Sequence, residues 1–143
     1  MSTEIISKIQ GTCTGFNGGA VFKLTNGQAW QQKVHKYTYR YKYRPDVRIY
    51  QADGTFYIAI EGMDEVVPVV QVSILEDGVI VSEFNGFDQN VRFEFQSGRI
   101  WVPTEYKYVY HYEYRPQAII VDGINGPELM VDGMNETIRV RRT

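Results

Sequence analysis

The sequence predicts an all-β chain built from two tandem copies of one small domain. Three observations predict it. The second half repeats the first at a fixed offset, each copy alternates apolar and polar residues with a period of two, and turn signals punctuate both copies. No helical 3.6-residue periodicity persists over a useful length.

The repeat carries the most weight. Trp30 recurs as Trp101, 71 residues on, and the same offset takes Gly15-Phe16 to Gly86-Phe87 and Phe22 to Phe93. It takes Tyr37, Tyr39, Tyr41 and Tyr43 to Tyr108, Tyr110, Tyr112 and Tyr114, and Arg44-Pro45 to Arg115-Pro116. Gly62-Met63 falls on Gly133-Met134 and Val69 on Val140, with no gap needed. The domains are therefore assigned to residues 1–71 and 72–143.

Each element follows from local signals. Val21 to Thr25 and Gln28 to Gln32 flank Asn26-Gly27, which reads as a two-residue type I′ hairpin. Ser97-Gly98 occupies that place in the second copy. In this register Lys23 faces Trp30 and Glu94 faces Trp101. Phe22, Leu24, Phe93 and Phe95 then form the core face, and both tryptophans point outwards. A long alternating strand follows and ends near Arg44-Pro45. Val47 to Tyr50 and Phe56 to Ile60 flank a turn at Asp53-Gly54, and Val66 to Val72 closes the copy. In the second copy Asp122 to Pro127 reads as a looser, Gly-rich connection. The junction from Gln71 to Gly78 holds Val72, Ile74 and Leu75 where a free linker would be rich in Gly, Ser or Pro. An ordered junction and packed domains are expected.

About five short strands in about 70 residues is the inventory of a small barrel or sandwich. The Phe22 to Trp30 hairpin, and the closing stretch from Ile58-Ala59-Ile60-Glu61-Gly62 to Val69, resemble an SH3-like barrel. Gly62-Met63-Asp64 and Gly133-Met134-Asn135 suit the short turn before the last strand of that fold. The resemblance implies two tandem SH3-like small barrels packed on each other. The chain is also similar to tandem repeats of bacterial proteins of unknown role. They carry an Asn-Gly-Gln…Trp hairpin and a tyrosine-rich strand. Asn26-Gly27-Gln28 and Trp30 match that pattern, and Ser97-Gly98-Arg99 departs from it. Neither resemblance implies an activity.

Composition narrows the function classes. The net charge of −2 opposes bulk attraction to nucleic acid. Residues 1–71 hold eight Lys/Arg against six Asp/Glu, a balance of +2, and residues 72–143 hold seven against eleven, a balance of −4. One cysteine, Cys13, suits a reducing, cytoplasmic setting. No apolar run approaches the ~20 residues that span a bilayer, and no signal segment is expected around Glu4-Ile5-Ile6. The sequon Asn135-Glu136-Thr137 reads as coincidence.

The tyrosines are the main anomaly. Nine of eleven lie in two alternating segments, Tyr37 to Tyr43 and Tyr106 to Tyr114. Alternation puts the rings on one face and Thr, Arg, Lys or His on the other. One small core cannot take so many hydroxyl-bearing rings, so part of the set is expected to line an interface. Trp30 and Trp101 are candidate binding platforms or domain contacts beside them, or else rings that close a barrel end where the strands bend. Lys36, Arg40, Lys42 and Arg44 form a basic stripe that would suit single-stranded nucleic acid. Its copy-two positions keep only Lys107 and Arg115. No catalytic motif appears, and neither Glu61, Asp64 and Glu65 nor Asp132 and Glu136 cluster tightly enough for a metal. No cofactor is expected.

The expectation is a non-enzymatic binding protein. It would act through Trp30, Trp101, Tyr37, Tyr39, Tyr41, Tyr43, Tyr108, Tyr110, Tyr112 and Tyr114 on a protein partner or a second copy. The runner-up is a nucleic-acid module on the basic stripe, and the third reading is an enzyme with a site at the domain junction.

Overall fold

Two compact units, Met1–Val72 and Ser73–Thr143, make up the chain. The computed structural model describes residues 4–17, 19–134 and 136–143. Asn135 of the sequon lies outside them. Every regular element among the described residues is a strand, so the fold is all-β.

The first unit holds β1 (Glu4–Lys8), β2 (Thr12–Phe16), β3 (Val21–Lys23), β4 (Ala29–Gln32), β5 (Thr38–Tyr43), β6 (Asp46–Ala52) and β7 (Thr55–Ile60). β8 (Val66–Val79) gives this unit its first part, so the junction is ordered as strand. The strand order is β1-β6-β7-β8-β4-β3, antiparallel throughout, and β2 and β5 form a separate two-stranded sheet.

The second unit takes the rest of β8, then β9 (Gly86–Phe87), β10 (Phe93–Glu94), β11 (Ile100–Pro103), β12 (Val109–Tyr110), β13 (Gln117–Gly123), β14 (Gly126–Val131) and β15 (Thr137–Arg142). Its order is β8-β13-β14-β15-β11-β10, with β9 and β12 as the small pair. The two topologies match strand for strand at the 71-residue offset.

In neither unit do the strands close into a barrel. The order in the first unit is open between β1 and β3, where one bridge, Ile9↔Leu24, lies between the ends. Gln10 N–H donates to Lys23 O at 2.8 Å beside it, and Thr25 N–H to Lys8 O at 2.8 Å. Ile80↔Phe95 occupies the same place in the second unit. The ends meet over too few residues to extend the ladder.

The cores are built alike. Phe16, Phe22, Leu24, Trp30, Ile49 and Ile58 pack together in the first, and their counterparts Phe87, Phe93, Phe95, Trp101, Ile120 and Leu129 pack together in the second. Phe16 and Phe22 meet edge to face at 6.2 Å, as do Phe87 and Phe93 at 6.1 Å. That geometry sets a positive ring edge against a negative ring face.

Both tryptophans face inwards, which corrects the expected outward orientation. Trp30 is 2 % exposed and Trp101 5 %. The cause is one loop residue. Leu24 N–H bonds Gln28 O at 2.9 Å and Gly27 N–H bonds Leu24 O at 3.1 Å, so Thr25-Asn26-Gly27 forms a three-residue loop. Gly27 supplies the φ of 91° that such a loop demands. Phe22, not Lys23, then pairs Trp30, and Phe93 pairs Trp101. A shift of one residue turns every side chain to the other face.

The connection at Asp122 to Pro127 is also tighter than expected. Asp122 pairs Pro127 and Gly123 pairs Gly126, so the ladder leaves only two residues, Ile124 and Asn125, in the loop. Ala52↔Thr55 closes the corresponding Asp53-Gly54 turn of the first unit.

Candidate functional site

The tyrosine segments stand on the small sheets. In β2, Cys13 and Phe16 enter the core, and this fixes the strand. β5 pairs with it through Thr12↔Tyr43, Cys13↔Lys42, Gly15↔Tyr39 and Phe16↔Thr38. The register shifts between Cys13 and Gly15, where a bulge lets β5 approach. Gly15 has φ 95°, and a Cβ there would lie 2.1 Å from the Thr38 carbonyl oxygen. Gly86 repeats this beneath Val109, at φ 100°. The sequence showed Gly15-Phe16 recurring as Gly86-Phe87, and that recurrence was the signal for a positioning role.

One face of β5 is tied down within the first unit. Lys36 Nζ lies 2.6 Å from Glu65, Lys42 Nζ 3.4 Å from Glu61, and the Thr38 hydroxyl donates to Glu65 at 2.9 Å. These contacts hold both carboxyls below the usual glutamate range. For Glu61 the Asp46 backbone N–H contributes most and Lys42 next, and for Glu65 the Lys36 hydrogen bond leads, followed by Thr38. Two of the four cations of the basic stripe, Lys36 and Lys42, are therefore matched by acids of the turn that carries Glu61 and Glu65. Arg40 is exposed, with its guanidinium close to Gly62, and forms no ion pair among the described residues. Arg44 is exposed at φ 51°, just before Pro45.

The second unit anchors its segment differently. Lys107, which corresponds to Lys36, donates to Thr137 O at 2.6 Å and lies 3.4 Å from Glu105 and 3.9 Å from Glu136. Arg139 Nε donates to Glu105 at 2.5 Å. Burial raises the Glu105 carboxyl, but Arg139 and Lys107 outweigh it and hold the group low. His111 and Glu113 stand where the first unit has Arg40 and Lys42, and their side chains meet at 3.3 Å.

The opposite face is the tyrosine face, and most of it meets water. All nine rings, Tyr37, Tyr39, Tyr41 and Tyr43 with Tyr106, Tyr108, Tyr110, Tyr112 and Tyr114, are between 59 and 81 % exposed. None covers the core, because Phe16, Phe22 and Trp30, with their counterparts, already fill it. The structure thus keeps the tyrosines together on outer faces and takes Trp30 and Trp101 away from them.

Burial pushes the Cys13 thiol up despite a backbone hydrogen bond from Gly15, which keeps it a neutral core group. Among the described residues no three His, Cys, Asp or Glu side chains gather as a metal site, and no helix is long and apolar enough to cross a membrane. Compared with known protein families, curated proteins and solved structures, the chain has no match.

Proposed function

We propose that the chain is a non-enzymatic binding protein whose tyrosine faces dock protein partners. One observation carries this reading: nine tyrosines in alternation present their rings to water along two segments, seated on β5 and β12, whose other side chains are anchored. Tyrosine offers large contact area at low cost in side-chain entropy, and a hydroxyl for the wet rim of an interface. Exposed aromatic rows this extensive on a folded protein mark interaction surfaces. The scaffold under them reads as two tandem SH3-like small barrels. The bridges Ile9↔Leu24 and Ile80↔Phe95, between the ends of each strand order, support that reading. The single buried thiol, Cys13, suits a reducing, cytoplasmic setting.

The test is capture by the tagged full chain, compared with a Tyr39→Ser, Tyr41→Ser, Tyr43→Ser variant. The expected result is a partner retained in high salt by the natural chain and lost by the variant, with melting temperature unchanged. Oligonucleotide binding that falls steeply with salt and disappears in Arg40→Glu would replace this reading with the nucleic-acid one.

A further inference from the structure

β5 pairs with β2 alone among the described residues, so its second edge has no strand partner. Arg44 N–H donates towards β2, to Gly11 O at 2.8 Å. Backbone groups alternate in direction along an antiparallel strand. Those of Tyr39, Tyr41 and Tyr43 therefore point to the open edge. In the second unit β12 is shorter, Val109–Tyr110, but the chain beyond it keeps the same direction: His111 and Glu113 donate to Asn85 O at 3.1 Å and Phe84 O at 3.3 Å, which leaves Tyr110 and Tyr112 facing outwards along that edge. A long, flat edge strand is a template for another strand.

We propose that the open edge of β5 pairs with the Tyr108–Tyr114 edge of a second copy of this chain. The inference rests on the tyrosine-face reading and names its partner. Charge selects the occupant. Two β5 strands brought together with Tyr41 opposite Tyr41 would set Arg40 opposite Lys42, and like charges directly opposite destabilise a ladder. The second unit differs at these positions: Glu113 and His111 replace Lys42 and Arg40, and its balance is −4 against +2 for residues 1–71. In antiparallel register with Tyr41 opposite Tyr112, Tyr39 falls opposite Tyr114 and Tyr43 opposite Tyr110. Arg40, which has no ion pair among the described residues, falls opposite Glu113. Tyrosines then align rung for rung on one face, while on the other Arg40 meets Glu113 and Lys42, already paired with Glu61, meets His111. Each copy carries one edge of each kind.

Sedimentation of the full chain over a micromolar concentration series tests this. The natural chain should associate beyond the monomer. Tyr41→Pro removes an edge N–H that the unit does not use, and should weaken association at least tenfold, as should Arg40→Glu or Glu113→Arg alone. The double charge swap R40E/E113R should restore it. Because Arg40 and Glu113 lie at the surface, the charge arms remain decisive if the proline variant fails to fold. A monomer at every concentration overturns the proposal, and so does association indifferent to the charge swap, which would leave an extended segment of another protein as the occupant. Partner capture lost in the triple tyrosine variant, from a strictly monomeric chain, would sink this proposal and leave the broader reading standing.

Discussion

Gly15 lies so close beneath Thr38 that a single added carbon would come within 2.1 Å of the Thr38 carbonyl oxygen. The contact brings the tyrosine strand down onto β2, and Gly86 makes the same approach to Val109. What holds the candidate surface in place is thus a missing side chain, and its consequences can be measured.

Gly15→Ala meets both a backbone clash and a φ of 95°, whereas Gly27→Ala meets strain alone, since nothing lies within 4 Å of its would-be Cβ. Gly27→Ala should cost about 1 kcal/mol, and Gly15→Ala clearly more, roughly 3 kcal/mol. Chemical denaturation of the two variants checks the order. Equal costs would mean that β5 yields without penalty.

Trp30 and Trp101 should behave as core residues. Each Trp→Ala change should destabilise by about 3–5 kcal/mol. In the second unit, Trp101 donates its indole N–H to Glu76 at 3.4 Å, and Glu76 is itself buried. Glu76→Ala leaves that donor without its acceptor and should cost about 1–3 kcal/mol. In the first unit Gln28 accepts from Trp30 at 3.1 Å instead. Thermal melts that leave Glu76→Ala unchanged would show that the indole finds water.

The tyrosine face should be nearly silent in stability. Tyr39→Ser, Tyr41→Ser and Tyr43→Ser each remove a ring that is mostly in water, so each should shift stability by less than about 0.5 kcal/mol. A large loss from any one of them would reassign that ring to folding.

Glu61 and Glu65 set a pH dependence. Both carboxyls are depressed in the folded state, Glu61 chiefly by the Asp46 N–H and Glu65 chiefly by Lys36. Their contribution is fully present above the ordinary glutamate pKa, about 4.3, and is lost as pH falls through their lowered values. Carboxyl titration followed by NMR should place both below that ordinary value. Glu61→Gln with Glu65→Gln should flatten the acid limb of the stability curve, because neither residue can then change charge. An unchanged acid limb would show that the pairs with Lys42 and Lys36 do not hold in solution.

The sequence by itself determined the duplication, the all-β class and the alternation that keeps nine tyrosines apart from their charged neighbours, although in the second copy only Val109–Tyr110 of the expected tyrosine strand forms one. Periodicity and repeats are local patterns, and a period of two fixes which residues share a face before any packing is known. Tertiary structure decided which way those faces turn. Asn26-Gly27 fits a two-residue and a three-residue loop equally well, and one residue of register separates an outward Trp30 from a buried one. The partners of Lys36 and Lys42 were equally hidden, since Glu65 and Glu61 lie 29 and 19 residues further along the chain. Only the fold of β5 against the turn that carries them brings the charges together. Long-range register and ion pairing depend on how strands far apart in the chain meet, and local pattern carries no record of that meeting.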